Sequence, residues 1–400
     1  MTAHMFGGRV RIADHATWDR GFPVKYLLVR EDQEGGEEFW GRCAGAEGFF
    51  VDPVPPPREV LTLRGCRPDG LLSEVLAEPG APRGLGDVCV EVWDGGRPVQ
   101  WWTLVDAVVV AHRPHPADPG RYDIVLGAGV RNEDAFVAPP SVPRFELFAG
   151  TTVAAESAGR CSGVDGLFEA RVDPAPVPLE LIGCEPAEPL LAALRRPRRS
   201  ERDRACLLVL DRQGAVTASR PVGLAVAGAR PSVLGGTLLD ITLTDGGDDR
   251  PTPADRPVWA AWYPGPPTEP NLWAPYDARG RAAWLDLTTR AWRVPPARPD
   301  RSGGEHHLDG RFVTDVPGLH CAMAEALLGP GRYFGREWNA FEDCLGGGFG
   351  VVPPFTLTWH DSGTARRALA DVVGDPQDGL SYVEAIVRLL ERRGVTVVLR

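Results

Sequence analysis

The stretch LLGPGRYFGREWNAFEDCL, residues 327–345, decides how the end of this chain is read. Gly329-Pro330-Gly331 stops the helix before it, because proline cannot donate within a helix and glycine turns freely. A second helical stretch runs from about Trp338 to Leu345 and is ended by Gly346-Gly347-Gly348. Working toward the N-terminus, Leu319, Met323, Ala326 and Leu327 form a helical stripe with Asp315 as its N-cap. Leu308 to Val313 reads as a strand ending in a turn. Toward the C-terminus, Phe355 to Trp359 has strand chemistry behind Pro353-Pro354, and helical text covers 363–371 and Ser381 to Arg393. Gly394 stops the last helix, and Val395 to Leu399 reads as a buried parallel strand. Strands separated by helices need crossover connections, so residues 305–400 predict a small α/β domain on a three-stranded parallel sheet.

Glu337, Glu342 and Asp343 lie in one short helix, and several acids together steer a basic partner toward them. Asn339 and Asp343 are four apart and share a helix face. An acid near a helix C-terminus is mildly unfavourable, which favours a binding use for Asp343 over a solvated helix end.

In its order of elements, this segment is similar to the barstar family from end to end. The turn Tyr333-Phe334-Gly335, the acidic helix ending in Asp343-Cys344-Leu345 and the closing RRGVTVVLR (392–400) carry the resemblance. It implies inhibition of a small secreted guanyl-specific ribonuclease, or of a ribonuclease toxin domain, by occlusion of its active site. The contacts implied are Tyr333, Phe334, Gly335, Glu337, Asn339, Glu342, Asp343 and Gly347. Among them Asp343 takes the place of the substrate phosphate, Tyr333 is a rigid aromatic contact, and Gly347 allows close backbone approach. Cys321 and Cys344 are implied to be reduced, partly buried thiols. The chain departs from the family at Glu337, where asparagine is frequent, and at Asn339, where aspartate is. Glu342 stands where the family varies or has tryptophan. The family's acids of the last helix fall at Leu389 and Arg393, and Arg332 and Arg336 flank the contact loop. His306, His307 and His320 have no nucleophile beside them and read as surface or packing residues.

The first 250 residues repeat themselves. GRC at 41–43 returns at 159–161, and the Gly-Cys at 65–66 returns at 183–184. Cys89 to Asp94 returns as Cys206 to Asp211, and Asp123 as Asp240. Two tandem mostly-β domains follow, each with one short helix, near Leu71 to Leu76 and Leu190 to Leu194. The domains expected are residues 1–131, 132–248, a Pro/Trp-rich connector at 249–304, and 305–400. The repeated cysteines read as small buried apolar residues, and Asp123 and Asp240 as surface turns or strand partners. In the connector, Trp259, Trp262, Trp273, Trp284 and Trp292 predict packing against a neighbour, because five solvated indoles would forgo burial. A stacking platform for sugars or bases is the alternative there.

A formal charge of −11 over 400 residues disfavours direct nucleic-acid binding and suits a basic protein partner. No stretch has the roughly 20 apolar residues that span a bilayer. Met1 to Trp18 does not read as a signal peptide, so a cytoplasmic location with reduced thiols is expected. With no CxxC pair, phosphate loop, triad or paired carboxylates in the text, no cofactor, no metal and no catalytic activity are expected. Two functions remain: a ribonuclease inhibitor of the immunity or antitoxin kind, or an adaptor whose C-terminal fold only docks while the repeats bind another protein.

Overall fold

The computed structural model describes residues 14–31, 37–77, 83–94, 96–132, 143–149, 156–171, 175–195, 204–244, 250–292, 299–375 and 379–400. Its first strands are β1 (Tyr26–Glu31), β2 (Glu37–Glu47) and β3 (Arg58–Pro68), followed by α1 (Gly70–Ala77). Then come β4 (Arg83–Asp94), β5 (Arg97–His115), β6 (Asp118–Asn132), β7 (Arg144–Ala149), β8 (Glu156–Cys161) and β9 (Gly163–Asp165). β10 (Leu179–Pro186) leads into α2 (Glu188–Arg195), then β11 (Arg204–Leu210), β12 (Val216–Gly223), β13 (Val226–Pro231) and β14 (Leu239–Leu243). Both expected short helices are present.

The chain divides into two compact bodies, one of residues 54–175 with 375–379 and one of the remainder. In the first, strands run β6-β5-β4-β7-β8-β3, and β3 pairs back onto β6, so six strands close a barrel with β9 added to β3. Alternate residues point inward. Val88, Val90 and Val92 of β4 meet Leu61 and Leu63 of β3 and Leu104 of β5 in its core. In the second body the order is β12-β11-β1-β2-β10-β14-β13, and only Leu224 and Ala225 separate its two end strands in sequence.

The bodies do not follow the cuts expected at 131/132 and 248/249. β1 and β2 pair with β11 and β10, whereas β7 and β8 pair with β4 and β3. Sequence similarity marks like strands but not their partners; those follow from which apolar face meets which core. The registers agree nonetheless. Tyr26 stands opposite Cys43 and Leu28 opposite Gly41, while Phe145 stands opposite Cys161 and Leu147 opposite Gly159. Asp123 and Asp240 are buried, and each accepts a backbone N–H, from Gly65 at 3.1 Å and from Gly183 at 2.9 Å. They are strand partners rather than surface turns.

The expected connector contains two helices, α3 (Arg256–Trp262) and α4 (Ala278–Trp292). Trp262, Trp273 and Trp284 are at most 2% exposed and share one core with Leu319 and Met323. Residues 245–249 and 293–298, and the Trp292 side chain, lie outside the described residues. α4 packs on the following helix and on β12. Large aromatics in proline-rich text therefore become core, two on helices and Trp273 in the turn between them, which answers the packing expectation and leaves these three indoles no stacking face.

The remaining elements are β15 (Glu305–Asp309), α5 (Val316–Leu328), α6 (Trp338–Leu345), β16 (Thr356–His360) and α7 (Ser362–Ala368). A short hairpin of β17 (Val373–Asp375) and β18 (Leu380–Ser381) precedes α8 (Tyr382–Arg392) and β19 (Thr396–Leu399). β15, β16 and β19 form the three-stranded parallel sheet with β16 central. The first strand starts earlier than its apolar residues indicated, at Glu305, and the chain turns at Gly310. A Cβ at Gly310 would lie 2.4 Å from the His360 carbonyl oxygen, so this close crossing takes the residues expected to extend the strand.

Candidate partner-binding surface

The helix boundaries that shape the site are chemically determined. Asp315 caps α5 by accepting the Gly318 N–H at 2.7 Å, with Pro317 in the first turn, and Gly329 follows the last turn. The chain then passes through Gly331 and Tyr333 to α6. Gly335, at φ +79°, crosses so close to α6 that an added Cβ would stand 2.4 Å from the Phe341 Cα. No other residue fits there, so Gly335 fixes the loop against the helix.

Phe334 is fully buried, with its ring 5.7 Å from that of Phe341, and Gly335 is buried beside it. Neither presents a surface to a partner. The expected contact role does not fit their burial: the aromatic–glycine pair anchors the loop, and its exposed neighbours are the candidate contact positions. Tyr333 is half-buried with its ring 5.9 Å from Phe349, and burial pushes its hydroxyl up to about 12, so it stays neutral. Glu337 is the extended N-cap of α6 but makes no side-chain cap bond, leaving its carboxylate outward. Glu337, Asn339 and Asp343 are all exposed. Among the described residues, neither Glu337 nor Asp343 has an ion-pair partner.

Glu342 differs. Its carboxylate sits 2.6 Å from the Arg393 guanidinium at the end of α8, with both side chains about two-fifths exposed. Arg336 turns toward Asp286 of α4 at 3.5 Å. One acid and one flanking cation are thereby committed inside the chain. The free acids of the surface are Glu337 and Asp343, with Tyr333 close enough to feel both charges.

The loop after α6 is held from the connector side. Asp300 accepts backbone N–H bonds from Gly348 at 2.7 Å and Gly350 at 2.8 Å, and these donors hold its carboxyl below the usual carboxylate range. Gly347, at φ +113°, has Asp300 Oδ2 3.0 Å from where a Cβ would be. Its lack of a side chain serves this inner contact. Sequence reading missed Asp300. Three consecutive glycine amides after a helix do require acceptors, but nothing in the text says which acid supplies them.

Behind the surface, His320 of α5 is 1% exposed, with Nε2 2.9 Å from the Tyr382 hydroxyl, and burial pushes its pKa down to about 4. Trp338 of α6 lies edge-on to Tyr382 at 5.8 Å. The orientation of α6 thus rests on a buried polar pair joining α5 and α8. Cys321 and Cys344 are free thiols, more deeply buried than implied. His306 packs edge-on to Phe355, and His307 is exposed, with Nδ1 3.1 Å from His360 Nε2. Among the described residues no group of three or more His, Cys, Asp or Glu is placed to hold a metal, and no helix is long and apolar enough to cross a membrane.

Residues 304–398 match the family model Barstar (barnase inhibitor). The match covers the last quarter of the chain, and no curated protein matches the chain. This quarter is similar to the barnase inhibitors, a family that binds ribonucleases and is not catalytic.

Proposed function

We propose that the protein binds and blocks a basic ribonuclease through α6, the Tyr333 loop before it and the glycine loop after it. The observation that carries this reading is Asp343: an exposed carboxylate without an ion-pair partner among the described residues, at the end of a helix braced on both flanks. Such an acid can accept charge-assisted hydrogen bonds from arginine and histidine in a nuclease active site, occupying the position of a substrate phosphate. Glu337 adds steering charge, and Tyr333 gives a face already ordered by packing. On this reading the chain is an immunity or antitoxin protein working in the cytoplasm. The two β-rich bodies are duplicated domains, and they hold a second part of the target or another protein. Their agreeing registers and the matched Gly65–Asp123 and Gly183–Asp240 bonds support the duplication.

The test is titration of the full chain into a barnase activity assay, with Asp343→Ala in parallel. Inhibition by the parent and its loss in the variant are expected. No inhibition by either at micromolar protein would favour the docking adaptor, in which the repeats alone recognise a partner.

A further inference from the structure

Each β body contains one pair of cysteines facing each other across neighbouring strands. In one, Cys43 of β2 stands directly opposite Cys184 of β10. Both are fully buried, and the two thiols lie close enough for Cys184 to raise the Cys43 pKa. In the other, Arg67 of β3 pairs with Arg160 of β8 and Pro68 with Gly159, which sets Cys66 opposite Cys161, close enough for Cys66 to raise the Cys161 pKa. The remaining strand cysteines are placed differently. Cys89 faces Thr103 and Phe148, and Cys206 faces Val29 and Pro221.

The two pairs mark equivalent seams. β2 precedes all of the 54–175 body in sequence, yet it pairs with β10 beyond it. β8 comes from the later half of the repeating text, yet it pairs with β3 of the earlier half. Directly opposed residues of antiparallel strands have Cα atoms about 4.5–5.5 Å apart, inside the 4.4–6.8 Å span of disulfides. Four repeat-related cysteines thus meet as two bondable pairs, each at a junction between strands distant in sequence.

We propose that Cys43–Cys184 and Cys66–Cys161 are two disulfide-forming modification sites that staple these seams when the chain meets an organic disulfide oxidant. One cysteine thiolate attacks the oxidant's S–S bond and releases one small thiol, leaving a mixed disulfide. The opposed cysteine then attacks the protein sulfur of that adduct, forms the cross-strand bond and releases the second small thiol. Two protein thiols are oxidised, the oxidant's disulfide is reduced to two thiols, and the protons lost by the cysteines are taken up by those thiols. Burial pushes the Cys43 and Cys161 thiols well above the ordinary thiol range, so thiolate is scarce in the closed sheet. Reaction proceeds when a seam opens or while the chain is folding, and each bond, once buried, resists reduction. Because each closes a long loop, the oxidised protein gains most of its stability through restriction of its unfolded state.

The experiment uses the full chain, refolded with oxidised glutathione at mildly alkaline pH and then alkylated in denaturant without reduction. Intact mass should show two disulfides and four alkylated thiols out of eight. Peptide mapping should link 43 to 184 and 66 to 161, and the melting temperature should rise by roughly 5 °C or more over the reduced protein. Cys184→Ser should lose the first link and keep the second. Eight alkylated thiols, stable glutathione adducts without internal links, or links between other cysteines would overturn the proposal. Since the parent protein alone yields the mapped links, an unstable variant would not obscure the answer.

Discussion

Arg281, in the first turn of α4, places its guanidinium 2.7 Å from the carboxylate of Asp315, the N-cap of α5. The same side chain donates to the Thr314 hydroxyl and the Ala274 carbonyl, and lies over the Trp273 ring. The connector is therefore bonded into the helix that begins the C-terminal module, upstream of the segment that matches the family model.

Removing this tie should unfold the module rather than trim it. Arg281 is 8% exposed, so Arg281→Met leaves Asp315 in a half-closed site without its cation, at a cost of about 3 kcal/mol. Fragment 301–400 also loses Trp273 and Trp284 from the shared core, whereas 250–400 keeps them. Urea unfolding followed by circular dichroism should show a cooperative transition for 250–400 and none for 301–400. A fully cooperative, stable 301–400 would show the connector to be dispensable.

Acid should loosen the module through His320. The unfolded residue takes a proton near its ordinary value of 6.5, but the folded one does so only near 4. Between these values the unfolded state holds more protons, so stability falls as pH drops through this window and the loss is complete below it. A shift of this size is worth about 3 kcal/mol. Urea midpoints at pH about 7 and about 4.5 should differ by much more in the parent than in His320→Phe. Equal pH dependence in both would place the acid sensitivity elsewhere. Asp123 acts at lower pH: backbone and imidazole hydrogen bonds hold it at about 2, so its share is lost only as pH falls below the ordinary carboxylate value.

Arg393 masks Glu342 at the edge of the proposed binding surface. As a surface pair it contributes less than about 1 kcal/mol to stability. Arg393→Ala should leave the melting temperature nearly unchanged and raise the association rate with barnase roughly twofold to fivefold at low salt. The gain should vanish at about 0.5 M salt, where exposed charges are screened. Stopped-flow fluorescence reads both. A gain independent of salt would mean that Arg393 acts by shape, not by charge.

Gly335 and Asp300 should separate two kinds of support. Gly335→Ala forces a Cβ into the α6 backbone at a positive φ and should destabilise the module by several kcal/mol. Asp300→Ala removes the acceptors for Gly348 and Gly350 and should leave global stability nearly unchanged while speeding exchange of those two amides. Amide exchange by mass spectrometry distinguishes local from global opening. Global protection lost in Asp300→Ala would assign that residue to the core.

The C-terminal fold was legible because its signals are local: an Asp315 cap, the Gly329–Gly331 stop, α6 ending at three glycines. These act within one or two turns, so the helices α5, α6 and α8 lie close to where the sequence put them, whereas β15 ends at Asp309 and not at Val313. The split of Phe334 from Tyr333 was not legible, since adjacent aromatics look alike until packing sends one inward. Nor could the text pair β2 with β10 or give Glu342 its Arg393, because both depend on elements far apart in sequence. The strands of the first 250 residues were recognisable by their period and turns, but their partners were not.

The most direct measurement of the central claim is isothermal titration of the full chain with barnase, for the parent, Asp343→Asn and Asn339→Ala. The account predicts tight binding by the parent and an affinity roughly tenfold to a hundredfold weaker for Asp343→Asn, the loss of one to two charge-assisted hydrogen bonds. Asn339→Ala should change it much less. Equal affinity in the parent and Asp343→Asn would contradict the assignment of α6 as the occluding element, and no heat of binding by the parent would remove this nuclease as the target.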